Sequence, residues 1–218
     1  MNKKSLIRML PIIFMVILSG CQTLVETNIK LSELQTLKSN KVVNSDLYVQ
    51  VAACNDFQDS RKESSSVVQS KQTIPSIFED AKYVECFMKE FESYTHFTIP
   101  TVLTNGQVLD ANYINILSNQ KHLLSVGIPS SIKSSIERVK SNSYGMTALD
   151  LNIQISLEND TQTTVEFRAL SAYVNGSPII YDKASVESSK SVKVVLSDVS
   201  TDNALENGSS HILFYDSQ

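Results

Sequence analysis

The chain has 218 residues, of which 42% are hydrophobic, and it contains no tryptophan, six glycines and five prolines, a composition that excludes a wholly disordered protein. The first 20 residues hold three of its 19 basic residues and no acidic one, which leaves 16 basic against 23 acidic residues, a net charge of −7, in the remainder. An acidic body of this kind argues against nucleic acid as a partner and against electrostatic attraction to anionic lipid head groups.

Residues 1–20 have the order of charged, apolar and small residues that is typical of a secretory signal peptide. Three basic residues precede an apolar stretch from Met9 to Leu18, and small residues follow it. At about ten residues, this stretch is too short to span a bilayer as a helix. We therefore expect residues 1–20 to be a cleaved signal, with an uncleaved membrane anchor or an internal hydrophobic element as the alternatives.

Cys21 ends the sequence Leu18-Ser19-Gly20-Cys21, which resembles the lipobox of bacterial lipoproteins. The resemblance implies cleavage between Gly20 and Cys21, a diacylglycerol on the Cys21 thiol and acylation of the new amino terminus. Attachment to the membrane would come from these chains, because two or three of them anchor a protein stably. A residue other than Asp after the cysteine, here Gln22, is similar to the pattern sorted to the outer membrane, which implies a chain that faces the periplasm.

The mature chain is expected to begin with a lipidated tether, residues 21–26, followed by a single domain, residues 27–218. Residues 27–32 and 46–51 alternate apolar with polar side chains, which predicts two half-buried strands. The charged and serine-rich segment from Asn55 to Gln72 indicates a long exposed loop. Long loops often carry function, so this loop is the candidate contact surface, with a mobile solvated loop as the alternative.

A helix is predicted from about residue 76 to about residue 94, with Pro75 at its first turn. Apolar residues recur there at helical spacing, namely Ile77, Ala81, Val84, Met88 and Phe91. Cys86 would face away from this stripe, which favours a partner that covers it. With Cys21 taken by lipid, Cys54 and Cys86 are an even pair in an oxidising compartment, so we expect a disulfide between them. Two separate free thiols are the alternative.

Two hairpins and a short helix are predicted in the middle of the chain. The dipeptide Asn105-Gly106 suits a tight turn between strands 97–104 and 107–109, although Pro100 argues that the first of these lies at an edge or is broken. Residues 113–117 and 122–128 would form a second hairpin around Asn119. Pro129-Ser130 then begins an amphipathic helix over about 130–140.

The last third of the chain has the clearest strand pattern. Residues 149–157 alternate strictly between apolar and polar side chains, and turns after 157 and at Asn175-Gly176 predict a three-stranded antiparallel meander with strands 163–174 and 178–181. Strands 191–197 and 211–215 follow, separated by a polar loop around 202–210. The predicted fold is therefore α+β, an antiparallel sheet with two helices. A sub-boundary near Gly145 is conceivable, although the strands on both sides could equally share one sheet.

The sequence contains few motifs that indicate catalysis or metal binding. His96, His122 and His211 stand alone and lack metal-ligand spacing, so we expect no metal site and no cofactor. Ser130 and Lys133 form a Ser-x-x-Lys sequence, but the other motifs that accompany it in enzymes with a serine nucleophile are missing. A role of Ser130 as a helix cap is the better explanation. Carboxylate pairs such as Asp56/Asp59 and Glu90/Glu92 lie in polar stretches. The sequence therefore favours a protein that is not an enzyme.

The segment from Asp46 to Pro100 resembles uncharacterised lipoproteins of enteric-type bacteria, some of them carried by phages or prophages. The shared residues include Leu47-Tyr48-Val49, Cys54-Asn55-Asp56-Phe57 and Glu85-Cys86. No established activity comes with this resemblance. We expect a membrane-anchored envelope lipoprotein that acts as a non-catalytic binding or structural module, with an envelope protein as its partner. The alternatives are a prophage-type exclusion lipoprotein that acts on a surface receptor, and an envelope hydrolase.

Overall fold

The computed structural model describes residues 22–109, 112–142 and 149–216. Within these ranges the chain forms eleven strands that belong to one sheet. The strands are β1 (Gln22–Lys30), β2 (Lys41–Val51), β3 (Lys82–Lys89), β4 (Glu92–Asn105), β5 (Ile114–Ser118), β6 (His122–Gly127), β7 (Asp150–Glu158), β8 (Val165–Val174), β9 (Ser177–Val186), β10 (Ser191–Leu196) and β11 (Ser209–Tyr215).

Nine of the strands close into a barrel in the order β10-β7-β1-β2-β4-β5-β6-β11-β8, and the pairing of β8 with β10 completes the ring. β3 and β9 lie outside the ring, where β3 pairs with β4 and β9 pairs with β8. Most neighbouring strands are antiparallel, whereas β1 is parallel to β7 and β4 is parallel to β5. Closure removes most of the unpaired strand edges that an open sheet of this size would present.

The predicted α+β class is wrong, because the described residues are 52% strand and 22% helix and nine of the strands form a closed barrel. Four short helices accompany the barrel in the described residues, and these are α1 (Leu31–Gln35), α2 (Ser65–Ile77), α3 (Ser130–Asn142) and α4 (Asp198–Asn207). The two halves of the chain share one sheet, since β7 pairs with β1 and β11 pairs with β6. Gly145, near which a sub-boundary was conceivable, lies outside the described residues.

The helix predicted over 76–94 is wrong. The chain there ends α2 at Ile77, turns through Asp80 at a φ of 60°, and continues as β3 and the start of β4. The apolar stripe that suggested a helix is not a buried face, because Met88 is 71% and Phe91 is 100% exposed. Pro75 lies near the end of α2 rather than at the first turn of a helix.

Two helices occupy segments that were predicted as loops. α2 covers the second half of the Asn55–Gln72 segment, and the Ser64 hydroxyl accepts a hydrogen bond from the Val67 N–H at its start. α4 replaces the polar loop around 202–210, with Ser197 as its N-cap and Gly208 in the left-handed conformation at its end. Serine at the start and glycine after the end are ordinary helix signals that the polar composition concealed. The short helix predicted at 130–140 is confirmed as α3.

The hairpin predictions have mixed outcomes. The hairpin around Asn119 is confirmed as β5 and β6, and β8 and β9 form the hairpin expected at Asn175-Gly176. The hairpin at Asn105-Gly106 is wrong, because β4 runs parallel to β5. β4 lies inside the sheet, and its Pro100 falls between the residues that pair with β3, which end at Thr98, and those that pair with β5, which begin at Thr101. A residue without an N–H is tolerated at such a change of partner.

Two further expectations about strands need correction. The three-stranded meander is wrong, since β7 pairs with β1 and β10 and not with β8. The tether expected over 21–26 is also wrong from Gln22 onward, because β1 begins at that residue. Strands 191–197 and 211–215 are confirmed as β10 and β11.

The barrel interior holds one hydrophobic core, to which the alternating inward residues of the strands contribute. Val25 and Ile29 of β1 and Leu47 of β2 are almost fully buried, while their neighbours along each strand point outward. Helices α1, α2 and α3 add residues such as Leu31, Ile74 and Ile132 to the same core. The outward residues of β1, β2 and β4 are therefore free to form a surface site.

Residues 1–20 and Cys21, which carry the predicted signal, its cleavage site and the lipid, lie outside the described residues. Within the part of the chain that the structure describes, no helix is long and apolar enough to cross a membrane.

Candidate functional site

A groove on the outer face of the barrel is the candidate functional site. It has a volume of about 660 Å³, which lies within the range of small-molecule and peptide pockets. We call it the acidic aromatic groove, and the residues that line it are Gln22, Leu24 and Glu26 of β1, Tyr48 of β2, Phe87 and Lys89 of β3, Glu90 of the β3–β4 turn, Glu92 and Tyr94 of β4, Asn152 of β7 and Val195 of β10. The groove is partly open to solvent.

Cross-strand pairing brings the aromatic side chains of the groove together. Tyr94 is the partner of Phe87, and their rings are stacked with centroids 5.9 Å apart. Phe87 meets Tyr48 edge to face, also at 5.9 Å. Tyr48 in turn stacks on His96, its partner on β4, at 4.8 Å. These four rings form a continuous aromatic surface, and aromatic pairs at these distances stabilise one another beyond the burial of their area.

Carboxylates surround the aromatic surface and give the groove a negative potential. Burial raises the pKa of the Tyr48 hydroxyl above its ordinary value, and the nearby charges of Asp46, Glu26 and Glu85 raise it further. The hydrogen bond that the Tyr94 hydroxyl donates to Glu92 raises the pKa of Tyr94 to about 12. Both tyrosines therefore stay neutral at physiological pH and keep the electron-rich ring faces on which cations bind.

The carboxylates of the groove have few positive neighbours. Among the described residues Glu26, Glu90 and Glu92 take part in no salt bridge, and the groove contains one cation, Lys89. Glu26 is held in place by a 2.8 Å hydrogen bond that the Gln154 side-chain amide donates to its Oε1. The groove thus keeps a net negative charge that is available to a ligand.

The order of these groups along the groove follows from the register of the strands. Glu26 is paired with Asp46, which is paired with Thr98 on β4, whereas Glu92 lies six residues away on the same strand. At about 3.3 Å per residue, the two carboxylates are separated by roughly 20 Å along the strand direction. Tyr48, Tyr94 and Phe87 occupy the levels between them. Along the strand direction, the groove therefore has carboxylates at both ends and aromatic rings between them.

A disulfide holds β3 against the preceding segment, so the predicted pairing of Cys54 with Cys86 is confirmed. The free-thiol alternative is thereby excluded for the described structure. Cys86 lies on β3, opposite Thr95 of β4, rather than on a helix. The Lys71 ammonium of α2 lies 4.0 Å from the centre of the Tyr83 ring on the same strand. These contacts support the strand that supplies Phe87 to the groove.

The Asn55–Gln72 segment, predicted as the contact surface, is more ordered than a solvated loop. The Asp56 carboxylate accepts hydrogen bonds from the backbone N–H groups of Gln58 and Asp59, and Asp59 forms a salt bridge with Arg61 at 2.9 Å. The pair Asp56/Asp59 therefore has a local structural role. Phe57 is fully exposed, but it lines no part of the groove.

The three histidines do not come together into one site. His96, expected just past a helix end, lies instead on β4, where its Nε2 is 2.8 Å from Asp46 Oδ1. His122 and His211 lie on β6 and β11, with their rings stacked at 3.8 Å. The described ranges contain no cluster of three or more histidine, cysteine or acidic side chains that could hold a metal ion.

Burial lowers the pKa of His122 below its ordinary value, and the adjacent His211 and Lys121 lower it further. Below pH 6.5, the ordinary pKa of a histidine side chain, His122 binds a proton in the unfolded chain more readily than in the folded chain. The free energy of unfolding should therefore fall as the pH drops from 6.5 toward the depressed pKa, and this contribution should be constant above pH 6.5.

We expect the variant His122→Gln to lose stability less steeply than the wild type between pH 7 and pH 5. Urea unfolding at several pH values measures the two slopes, and an NMR titration of the His122 ring gives its midpoint directly. A midpoint above 6.5, or equal slopes for the two proteins, would contradict the assignment.

The sequence did not single out the groove residues as a site. The alternation of β1 and β2 could have shown that Glu26 and Tyr48 face outward, but no signal in the sequence joined them to Phe87 and Tyr94. Glu90 and Glu92, noted only as a pair in a polar stretch, turn out to lie at one end of the groove.

The fold and the groove define a small β-barrel protein with a groove on its outer face. The family described as a domain of unknown function, DUF7424, matches residues 23–218, and the chain belongs to this family. Comparison with curated proteins and with solved structures finds no match.

Proposed function

We propose that this chain is a lipid-anchored envelope protein that binds another molecule through the acidic aromatic groove and catalyses no reaction. The observation that carries the proposal is the position of Gln22, which both lines the groove and directly follows Cys21. A lipid on Cys21 would hold the groove at the membrane surface, with the mature chain on the outer membrane facing the periplasm. The acidic surface offers no electrostatic attraction to anionic lipid, so attachment depends on the acyl chains.

The contacts of the nucleophilic and basic side chains support binding rather than catalysis. Ser125 Oγ lies 2.8 Å from His211 Nδ1, which is the first half of a nucleophile and base arrangement. Ser125 is only 2% exposed, and in the described residues no carboxylate hydrogen-bonds to His211 to complete a triad. The pair is therefore better explained as a buried hydroxyl satisfied by a histidine.

The test of the anchor is the variant Cys21→Ser, compared with the double variant Cys54→Ser/Cys86→Ser. We expect the first to lose the acyl chains and leave the membrane fraction almost completely, because a single protein-surface contact cannot replace two or three acyl chains. The double variant should stay in the membrane fraction, since its lipid attachment residue is intact. Fractionation of the cell envelope and mass spectrometry of the amino-terminal peptide measure both. An unmodified Cys21, or a Cys21→Ser chain that stays as firmly bound as the wild type, would overturn the proposal.

A further inference from the structure

We infer that the acidic aromatic groove binds an extended segment of a partner protein that carries basic side chains at both ends and in its middle. The inference rests on the proposed binding function of the groove and names the chemistry of the partner. Three properties of the groove support it, namely its charge, its aromatic surface and its length.

Charge complementarity selects a cationic partner. Three groove carboxylates, Glu26, Glu90 and Glu92, face one lysine, and none of the three takes part in a salt bridge in the described residues. Asp46 and Glu85 add to the negative potential at Tyr48. An anionic ligand would meet repulsion from each of these groups, whereas a guanidinium or ammonium group gains a pairing that the free protein lacks.

The aromatic middle of the groove selects a cation that also has an apolar stem. Tyr48 and Phe87 present their rings at 90° to each other, so a side chain placed in this corner contacts one ring face and one ring edge. A guanidinium or ammonium within about 6 Å of a ring centre is attracted by the ring face, and the methylene stem packs on the rest of the aromatic surface. Arginine and lysine side chains combine both properties.

The length of the groove selects an extended chain rather than a compact ligand. The roughly 20 Å between the levels of Glu26 and Glu92 corresponds to about six residues of extended polypeptide. Basic side chains six residues apart would reach both acidic ends at once, and a third would lie over Tyr48 and Phe87 between them. The groove is partly open to solvent, so a chain can enter it from the side.

The probe is a nonapeptide with blocked ends, Gly-Arg-Gly-Lys-Ser-Ser-Gly-Arg-Gly, whose two arginines are six residues apart and whose lysine lies on the same face of an extended chain as both arginines. A matched peptide has citrulline, a neutral isostere, in place of each arginine and glutamine in place of the lysine. Binding to the purified full-length protein in detergent is measured by calorimetry at low and at physiological ionic strength. Spermine, a flexible polyamine, is tested as a competing occupant.

Two groove variants and two matched controls locate the binding. We expect Glu26→Gln/Glu92→Gln to weaken binding of the basic peptide by roughly tenfold at low salt, and Tyr48→Leu to weaken it by roughly three- to tenfold. Glu166→Gln/Glu187→Gln and Tyr181→Leu make the same chemical changes at exposed positions on β8, on β9 and just after β9 that line no part of the groove, and should leave the affinity unchanged. Circular dichroism and thermal unfolding of each variant confirm that it is folded.

Weaker binding of the citrulline peptide, loss of affinity at higher salt and loss only in the groove variants would support the inference. Equal affinity for the two peptides, equal effects of the groove and control variants, or spermine binding as tight as that of the peptide would overturn it. Because the measurement is made on detergent-solubilised protein, it does not depend on the membrane location. A Cys21→Ser chain that stays in the membrane fraction and still binds the peptide would therefore refute the anchor and leave this inference standing.

Discussion

Replacing Asn159 with alanine is expected to lower the free energy of unfolding by about 3–5 kcal/mol, because a fully buried amide would lose four hydrogen bonds at once. The Asn159 side chain donates to the carbonyls of Thr163 and Val186 at 2.8 and 2.9 Å, and its Oδ1 accepts from the N–H and the hydroxyl of Thr161. The residue is 0% exposed and follows β7 directly. The hydrogen bonds of Asn159 therefore connect the segment before β8 to the last residue of β9.

Equilibrium urea unfolding of Asn159→Ala and of the wild type measures this effect. Asn28→Ala is the matched control, since Asn28 is an exposed asparagine on β1, and its replacement should change stability by less than about 0.5 kcal/mol. A loss below about 1 kcal/mol for Asn159→Ala would contradict the hydrogen-bond network that the structure assigns to it.

Removing the disulfide with Cys54→Ser/Cys86→Ser is expected to cost about 3–4 kcal/mol in the chain-entropy account of cross-links. The two cysteines are 32 residues apart in sequence. The bridge therefore closes a loop of that size in the unfolded chain and lowers its conformational entropy. The affinity of the groove for the basic peptide should fall as well, because the bridge ties β3, which supplies Phe87, to the segment before α2.

The control for the disulfide is a reducing agent. Dithiothreitol should lower the stability of the wild type to that of the double variant and leave the variant unchanged. Equal stability of the oxidised wild type and the variant would show that the bridge does not constrain the unfolded chain as expected.

Individual strands could be predicted from the alternation of apolar and polar residues within one segment, because neighbouring side chains of a strand point to opposite faces. Residues 149–157 and 46–51 therefore gave strands that the structure contains as parts of β7 and β2. The partners of these strands could not be predicted in the same way. β7 lies beside β1, more than a hundred residues earlier in the chain, and the pairing of Leu24 with Asn152 leaves no local signal in either segment.

The candidate site was missed because its key hairpin has no turn signal. β3 and β4 are joined at Glu90, which has a φ of 57° although it is neither glycine nor asparagine, and the residues around it are Lys89, Phe91 and Glu92. Without a recognisable turn, the helical spacing of Val84, Met88 and Phe91 favoured one long helix. A helix would have directed Phe87 and Tyr94 to different neighbours, and no groove could have been inferred. The disulfide was predicted correctly because the even number of remaining cysteines favoured it, although the supporting argument from a helical position of Cys86 was wrong.

Photocrosslinking on the membrane tests the central claim that a lipid-anchored protein binds a basic segment in the groove beside its anchor. The basic nonapeptide, with a diazirine group on its lysine, is added to the acylated protein in vesicles, and the crosslinked residues are identified by mass spectrometry. We expect crosslinks within residues 22–26, 46–50 and 85–94, and their loss in Glu26→Gln/Glu92→Gln. Crosslinks concentrated on the β8–β9 hairpin, or spread evenly over the barrel surface, would contradict the claim.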